Sequence, residues 1–284
     1  MQILVTGATG TVGAALIPAL EAAGHTVLAA TRHPDRYSGA GKSTFLDVLD
    51  EGSVADGLDG CDAAYYLVHS MEQADFAERD RRAALAFASA AAARDIRVVY
   101  LGGLGEADDV SEHLRSRHEV GRILRNGADT VELRAAVVLG RGSASFEILR
   151  QLVERLPAMV CPRWVATRCQ PIALADVVRY LAGALDIPGG AYDIGGADVL
   201  TYEDMMRGYA RIAGRRRLIV KVPVLSPRLS SLWIGLVTDQ PAAVARPLAE
   251  GLAVEVIAHD RRIRQLVPFD PLGFDAAVRA ALAP

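Results

Sequence analysis

Residues 112–119 of this 284-residue chain read EHLRSRHE, with two histidines, two arginines and two glutamates in eight positions. Projected on a helix at about 100° per residue, Val120, Ile123 and Leu124 define an apolar face, and His113 and Arg117 fall on or beside it. The two are one turn apart and can address one site. Arg115, Arg122 and Arg125 fall on the other side, Glu119 flanks them, and His118 points obliquely outward. Ionisable groups on an inward face are costly unless paired or functional. Arg117 either pairs with a carboxylate while His113 makes a structural hydrogen bond, or the pair faces a reacting group, with His113 as proton donor because an unperturbed imidazole titrates near neutrality.

The second stretch with chemistry in its spacing is MQILVTGATGTVGAAL at the start of the chain. An apolar strand runs into Gly7, Gly10 and Gly13, and a helical segment follows. Gly7 permits the tight turn, Gly10 lets backbone approach a pyrophosphate, and Gly13 lets helix and strand pack closely, with the helix N-terminus facing the anion. Thr9, Thr11 and Val12 complete the expected dinucleotide cradle. The acid that often binds the adenosine ribose, about 20 residues past the glycines, is replaced by Thr31 and Arg32. Arg32 suits a 2′-phosphate, so NADP is expected over NAD, although Asp35 nearby keeps NAD open.

These residues need a scaffold, and the pattern of the chain supplies one. QILVTG, TVLAATR, STFLDV, AAYYLVHS, RVVYLGG and TVELRAAVV are short, nearly continuous apolar runs, as buried parallel strands should be. Ala-rich segments lie between them, most clearly residues 75–95. This alternation predicts an α/β fold of the Rossmann type, a doubly wound parallel sheet. Beyond residue 140 the pattern shifts to helices at 143–156, 173–185 and 201–214, the last with Thr201 as N-cap and Asp204 three residues on, and a late strand at 191–196. One unit of 284 residues is expected. About 1–140 form the dinucleotide-binding core, with about 165–196 returning to it, and 141–164 with 197–284 form a smaller C-terminal substrate lobe.

Bulk properties narrow the classes. The chain is 51% hydrophobic and 23% charged, with 31 basic and 34 acidic residues and a net charge of -3. The charges are scattered, which argues against a nucleic-acid partner. Cys61, Cys161 and Cys169 have neither metal-site nor disulfide-framework spacing, so no metal and a reducing, cytoplasmic setting are expected. The first strand begins at residue 2, so no signal or transit peptide is expected before it. SSLWIGLV at 230–237 is too short to cross a bilayer and reads as core or pocket.

On TGATGTVG, LDVLD (46–50), YYLVHSM (65–71), ELRAAVVLGRGS (132–143), QPIALADV (170–177) and AYDIGG with LTYED, the chain resembles the atypical or extended branch of the short-chain dehydrogenase/reductase superfamily. The likeness is nearest to its NAD(P)H-binding, NmrA-like oxidoreductases. It covers most of the chain to about residue 214. It implies that Asp47 and Val48 touch adenine, and that Leu67 and Val68 approach the nicotinamide ribose. It also makes His69, at the end of that strand, a rival to His113 as proton donor. The superfamily's reductases carry a Tyr–x–x–x–Lys pair. Here that spacing offers His113 and Arg117, and Gly102 and Gly103 stand where a strand hydroxyl is usual. Arg117 would then replace the lysine at the cofactor.

On the substrate side Gly103, Phe146, Trp164 and Trp233 are the candidate pocket residues, and with Met159 they suggest a small apolar substrate. The leading expectation is NADP-dependent reduction of a carbonyl, quinone or enone. A redox-silent NAD(P) sensor, and an isomerase or dehydratase using bound NAD transiently, stand beside it. Gly10→Val puts a branched side chain where the pyrophosphate belongs. NADPH affinity, followed by fluorescence titration, should be lost while circular dichroism stays native-like; unchanged affinity would refute the cradle.

Overall fold

The computed structural model describes residues 1–70, 73, 75–105, 111–222, 237–239 and 251–283, with the backbone alone described at 163 and 164. The expected α/β architecture is observed. A seven-stranded parallel sheet is built from β1 (Gln2–Val5), β2 (Thr26–Thr31), β3 (Lys42–Phe45), β4 (Ala63–Tyr66), β5 (Arg97–Gly103), β6 (Thr130–Ala135) and β11 (Gly190–Ile194), in the order β11-β6-β5-β4-β1-β2-β3. The chain winds outward from β1 to β3, then crosses back to place β4 on the other side of β1. Ile3 is thus flanked by Val27 and by Ala63. The crevice at such a reversal is where doubly wound sheets bind ligands.

Period-two alternation assigns each strand residue to a layer. Ile3 and Val5 of β1 and Tyr65 of β4 pack with Leu16 and Leu20 of α1 (Thr11–Ala22) and Val177 of α6 (Leu174–Gly183). Leu4, Tyr66 and Tyr100 point the other way. They pack with Val54 of α2 (Glu51–Leu58), Phe87 of α3 (Phe76–Ala92) and Leu124 of α4 (Glu112–Gly127). The expected strand ends are trimmed. β3 stops at Phe45 and β4 at Tyr66, so Asp47, Val48, Leu67, Val68 and His69 lie in loops just past the sheet.

A separate core forms from α5 (Ala144–Arg155), β8 (Ala158–Pro162), α7 (Tyr202–Ile212) and α8 (Phe274–Leu282). Thr201 and Asp204 close a capping box at the start of α7, as expected. Short pairings support this region: β7 (Val138–Leu139) with β10 (Ile172–Ala173), β9 (Arg168–Cys169) with β12 (Leu200–Thr201), and β8 with β13 (Leu218–Val222). Beyond the helix that ends near 214 the chain therefore still holds a strand, β13. Phe146 is 1% exposed and meets Tyr209 edge-on at 6.1 Å, so it is core rather than pocket. Met159 is buried likewise. The Trp164 side chain, Trp233 and most of the 230–237 stretch lie outside the described residues.

The seating of α4 depends on Glu132. This β6 residue faces α4 and is 1% exposed; its carboxylate lies 2.7 Å from Arg125 Nε and 3.4 Å from Arg134 Nε. Arg125 was expected on the outer face; its long stem instead bends round the helix to this buried charge. A Cβ on Gly121 would stand 2.3 Å from Glu132 Oε1, and one on Gly102 would stand 2.8 Å from it. Gly102, expected among the cofactor-binding residues, makes room for a carboxylate inside the protein. Gly103 is buried too, its missing Cβ accommodating Leu114 of α4.

Gly121→Ala tests this seating. Alanine is better than glycine in a helix by about 0.8–1.0 kcal/mol, but overpacking a buried site costs about 1–3 kcal/mol and here it presses on a paired charge. A net loss of roughly 1–2 kcal/mol in urea unfolding is expected; a stabilised variant would show that the helix is not held this closely.

Candidate active site

The glycine turn is built as its residues require. Gly7 has φ +66°, and a Cβ there would lie 2.7 Å from the Leu67 carbonyl oxygen. A Cβ on Gly13 would lie 2.3 Å from the Gly7 carbonyl oxygen. The Gly10 N–H donates to that same oxygen at 2.9 Å, and Gly10 itself is exposed. Helix α1 starts at Gly10 with no side-chain cap and no acid in its first turn. Its first N–H groups and the positive end of its dipole are thus left for an anion. Thr9 is exposed, and Thr11 and Val12 are half-buried, with Val12 packed on the core beneath. The cradle fits a dinucleotide pyrophosphate.

Thr6, which sequence reasoning passed over, braces the turn. Its buried hydroxyl donates to the Tyr65 carbonyl and accepts from the Leu67 N–H, both at 3.0 Å. This holds the loop after β4 against Gly7. At the adenosine end Arg32 is exposed and has no ion pair or hydrogen bond among the described residues. Asp47 is ordered by the Leu49 N–H at 3.0 Å, and Val48 packs on the core below.

At the other end, the β4 exit and α4 bring the expected ionisable residues together. Arg117 donates to the Leu101 carbonyl, and its guanidinium carbon lies 5.4 Å from the Tyr100 ring centroid. The Tyr100 hydroxyl donates to the Arg117 carbonyl at 3.1 Å, which ties Tyr100 into the interior. Arg117 is therefore held back onto β5, where its charge acts on both His69 and His113. Burial, then Arg117, then His69 push the His113 imidazole down to about 3. His69 is lowered as well, first by surrounding protein and then by Arg117. Yet His69 is solvent-exposed; an accessible ring enclosed by protein describes a cleft wall, and water there moderates the shift. Both rings are neutral at pH 7, so the expectation of an imidazole titrating near neutrality gives way to a pair held uncharged beside a fixed cation.

Two further groups belong to this cluster. His118, expected to point outward, is half-buried with Nε2 3.1 Å from the Gly103 carbonyl oxygen. Asp80 of α3 is 7% exposed. Burial raises its carboxyl, while a hydrogen bond with Ser70 and the charge of Arg117 oppose the rise. Sequence reasoning passed over Asp80, although it shares the helical spacing of Phe76, Ala83, Ala84 and Phe87, which is an apolar face.

Residues 3–122 match the model of the NAD dependent epimerase/dehydratase family, a segment running from β1 into α4. The resemblance to the extended short-chain dehydrogenase/reductase superfamily stands on this segment and on the fold. Over nearly the whole length the fold is that of UDP-N-acetylglucosamine 4-epimerase from Bacillus cereus, at 16% identity and TM-score 0.74, covering 99% of this chain and 98% of that one. UDP-glucuronic acid 4-epimerase from Bacillus cereus, in complex with UDP-glucuronic acid and NAD, has TM-score 0.71 at 16% identity, with 99% and 98% covered. RMD from Pseudomonas aeruginosa, complexed with NADPH, has TM-score 0.71 at 16% identity, with 99% and 97% covered. At these identities the likeness is one of fold. No curated protein matches the chain in sequence. No helix among the described residues is long and apolar enough to cross a membrane.

The neutral His113 carries a linkage of definite sign. Its folded value, about 3, lies below the ordinary 6.5 of an unfolded chain. Its favourable contribution is complete above pH 6.5 and is lost as pH falls from there towards 3, because the unfolded state takes the proton first. The stability difference between wild type and His113→Gln, measured by urea unfolding, should therefore move in favour of the variant between pH 7.5 and 4.5. An unchanged difference would mean that His113 titrates alike in both states.

Proposed function

We propose that this chain is an NAD(P)-dependent enzyme of the epimerase/dehydratase type, acting on a small molecule with a secondary hydroxyl or the matching carbonyl, and that it dispenses with the tyrosine–lysine pair. The observation that carries this reading is the convergence of His69, His113 and Arg117 at the exits of β4 and β5, beside the crevice into which the glycine turn opens. A dinucleotide bound there supplies hydride chemistry, and the protein supplies position and electrostatics. Gly7 to Gly13 and the α1 N-terminus would hold its pyrophosphate, Asp47 and Val48 its adenine, and Leu67 and Val68 would border its ribose. His113, neutral, offers an imidazole N–H to a substrate oxygen, as a neutral histidine can polarise a carbonyl. Arg117 favours negative charge developing on that oxygen, and His69 is placed to accept or return a proton. The family match favours this reading over quinone or enone reduction. For the cofactor, the unpartnered Arg32 favours NADP; the similar structures include both NADPH and NAD complexes.

A second reading has its own support. Arg117 is already engaged by Leu101 and Tyr100, which suits a redox-silent NAD(P) sensor that needs no ribose-binding lysine. Incubation with NADP or NAD and a panel of nucleotide sugars and simple secondary alcohols separates the two. Isomerised or dehydrated product without net NAD(P)H accumulation is expected, falling roughly 10²–10⁴-fold in His113→Ala with cofactor affinity kept. Tight binding with no turnover across the panel would establish the sensor, and stoichiometric NADPH loss with quinones would restore the reductase. In the same titrations Arg32→Ala should weaken NADPH by one to two decades, about 1.5–3 kcal/mol, and leave NADH unaffected.

A further inference from the structure

The turn that follows β7 brings a cation to the start of α1. Gly140, Arg141, Gly142 and Ser143 lead from β7 into α5. Gly142 has φ +80°, and a Cβ there would stand 3.3 Å from Thr11 Oγ1. A Cβ on Gly140 would stand 2.6 Å from the Leu174 Cβ, at the start of α6. The two glycines thus let this turn close onto Thr11, the first residue of α1.

The turn is tied down. The Ser143 N–H donates to the Gly140 carbonyl at 3.1 Å, the Ser143 hydroxyl to the Val138 carbonyl at 2.8 Å, and the Gly142 N–H to Glu147 Oε1 at 3.3 Å. The charge of Glu147 is answered by Arg150 at 2.8 Å. Arg141 is exposed and is one Cα–Cα step, about 3.8 Å, from Gly142. Its Nη2 donates to the Ala283 carbonyl, just past the last turn of α8. It has no ion pair among the described residues. A guanidinium carries five N–H donors. One of them, given to a neutral carbonyl at the negative end of a helix, steadies the group without cancelling its charge. The other donors remain for an anion.

We propose that Arg141 is a further ligand of the cofactor pyrophosphate, reaching over Thr11 from the substrate lobe. This rests on the reading of the glycine turn as a dinucleotide cradle. The first turn of α1, TVGA, has no charged side chain, so the cradle by itself offers backbone N–H groups and a helix dipole. Arg141 adds the full positive charge that those groups lack, in the fork geometry that suits phosphate oxygens. Because the pyrophosphate is common to both cofactors, its contribution is the same for NADPH and NADH, unlike that of Arg32.

Calorimetric titration of the full chain with NADPH, NADH, ADP-ribose and adenosine 2′-phosphate tests this. Arg141→Ala should weaken the first three alike, by about tenfold or more, and leave adenosine 2′-phosphate, which lacks the pyrophosphate, unaffected. Arg141→Lys should recover most of the loss, since it returns the charge. Raising the salt should narrow the gap between wild type and Arg141→Ala, because an exposed charge is screened. Urea unfolding of both variants should match wild type. Unchanged affinity of Arg141→Ala for NADPH, NADH and ADP-ribose would overturn the role. So would an equal loss for adenosine 2′-phosphate, or a loss that lysine does not repair, because either marks a structural effect. A wild type that binds no dinucleotide would instead remove the cradle itself, and Arg141 with it.

Discussion

A single buried carboxylate sets the position of α4, the helix that carries His113 and Arg117. Glu132 sits between β6 and α4 with an arginine on each side, and two glycines, one on β5 and one on α4, give up their side chains to make space for it. A charge taken out of water is tolerable only with close partners, and removing one of them is far more costly than the pair is worth. That asymmetry fixes the rotation and height of α4 more sharply than packing of Val120 and Leu124 alone. His113 and Arg117 ride on the same helix, so their placement against β5 is inherited from an ion pair that touches neither.

The electrostatics of the site follow from that placement. Arg117 is anchored to a strand carbonyl and to an aromatic face, so its charge is stationary. Two imidazoles near a stationary cation, one of them largely shielded from water and the other on an accessible wall, stay neutral at pH 7. Neutral rings suit a site where charge is to appear on the substrate oxygen rather than on the protein, because the protein then has little to rearrange when it does.

How much of this was readable from residues alone depended on the range of the interaction. The glycine turn is a local constraint, written within seven residues, and it was legible along with the strand–helix alternation around it. The inward placement of His113 and Arg117 followed from helical periodicity. Arg125 and His118 were misplaced because a periodicity argument assigns a face to Cβ and not to the end of a long side chain, and the groups that attract those ends, Glu132 and the Gly103 carbonyl, come from other elements. Phe146 was misjudged for the opposite reason: an aromatic residue near a helix start has no sequence mark distinguishing a cleft from a second core. Gly102 and Gly103 were read against an absent hydroxyl, whereas each answers to a neighbour many residues away.

The Thr6 brace has a mechanical meaning. One hydroxyl joins the end of β1 to the end of β4 across the crevice, so the turn that would grip the phosphates and the loop that carries His69 cannot shift independently. Were the turn to hold a pyrophosphate, the loop carrying His69 would be kept in fixed relation to it by the stiffness of this two-bond strut.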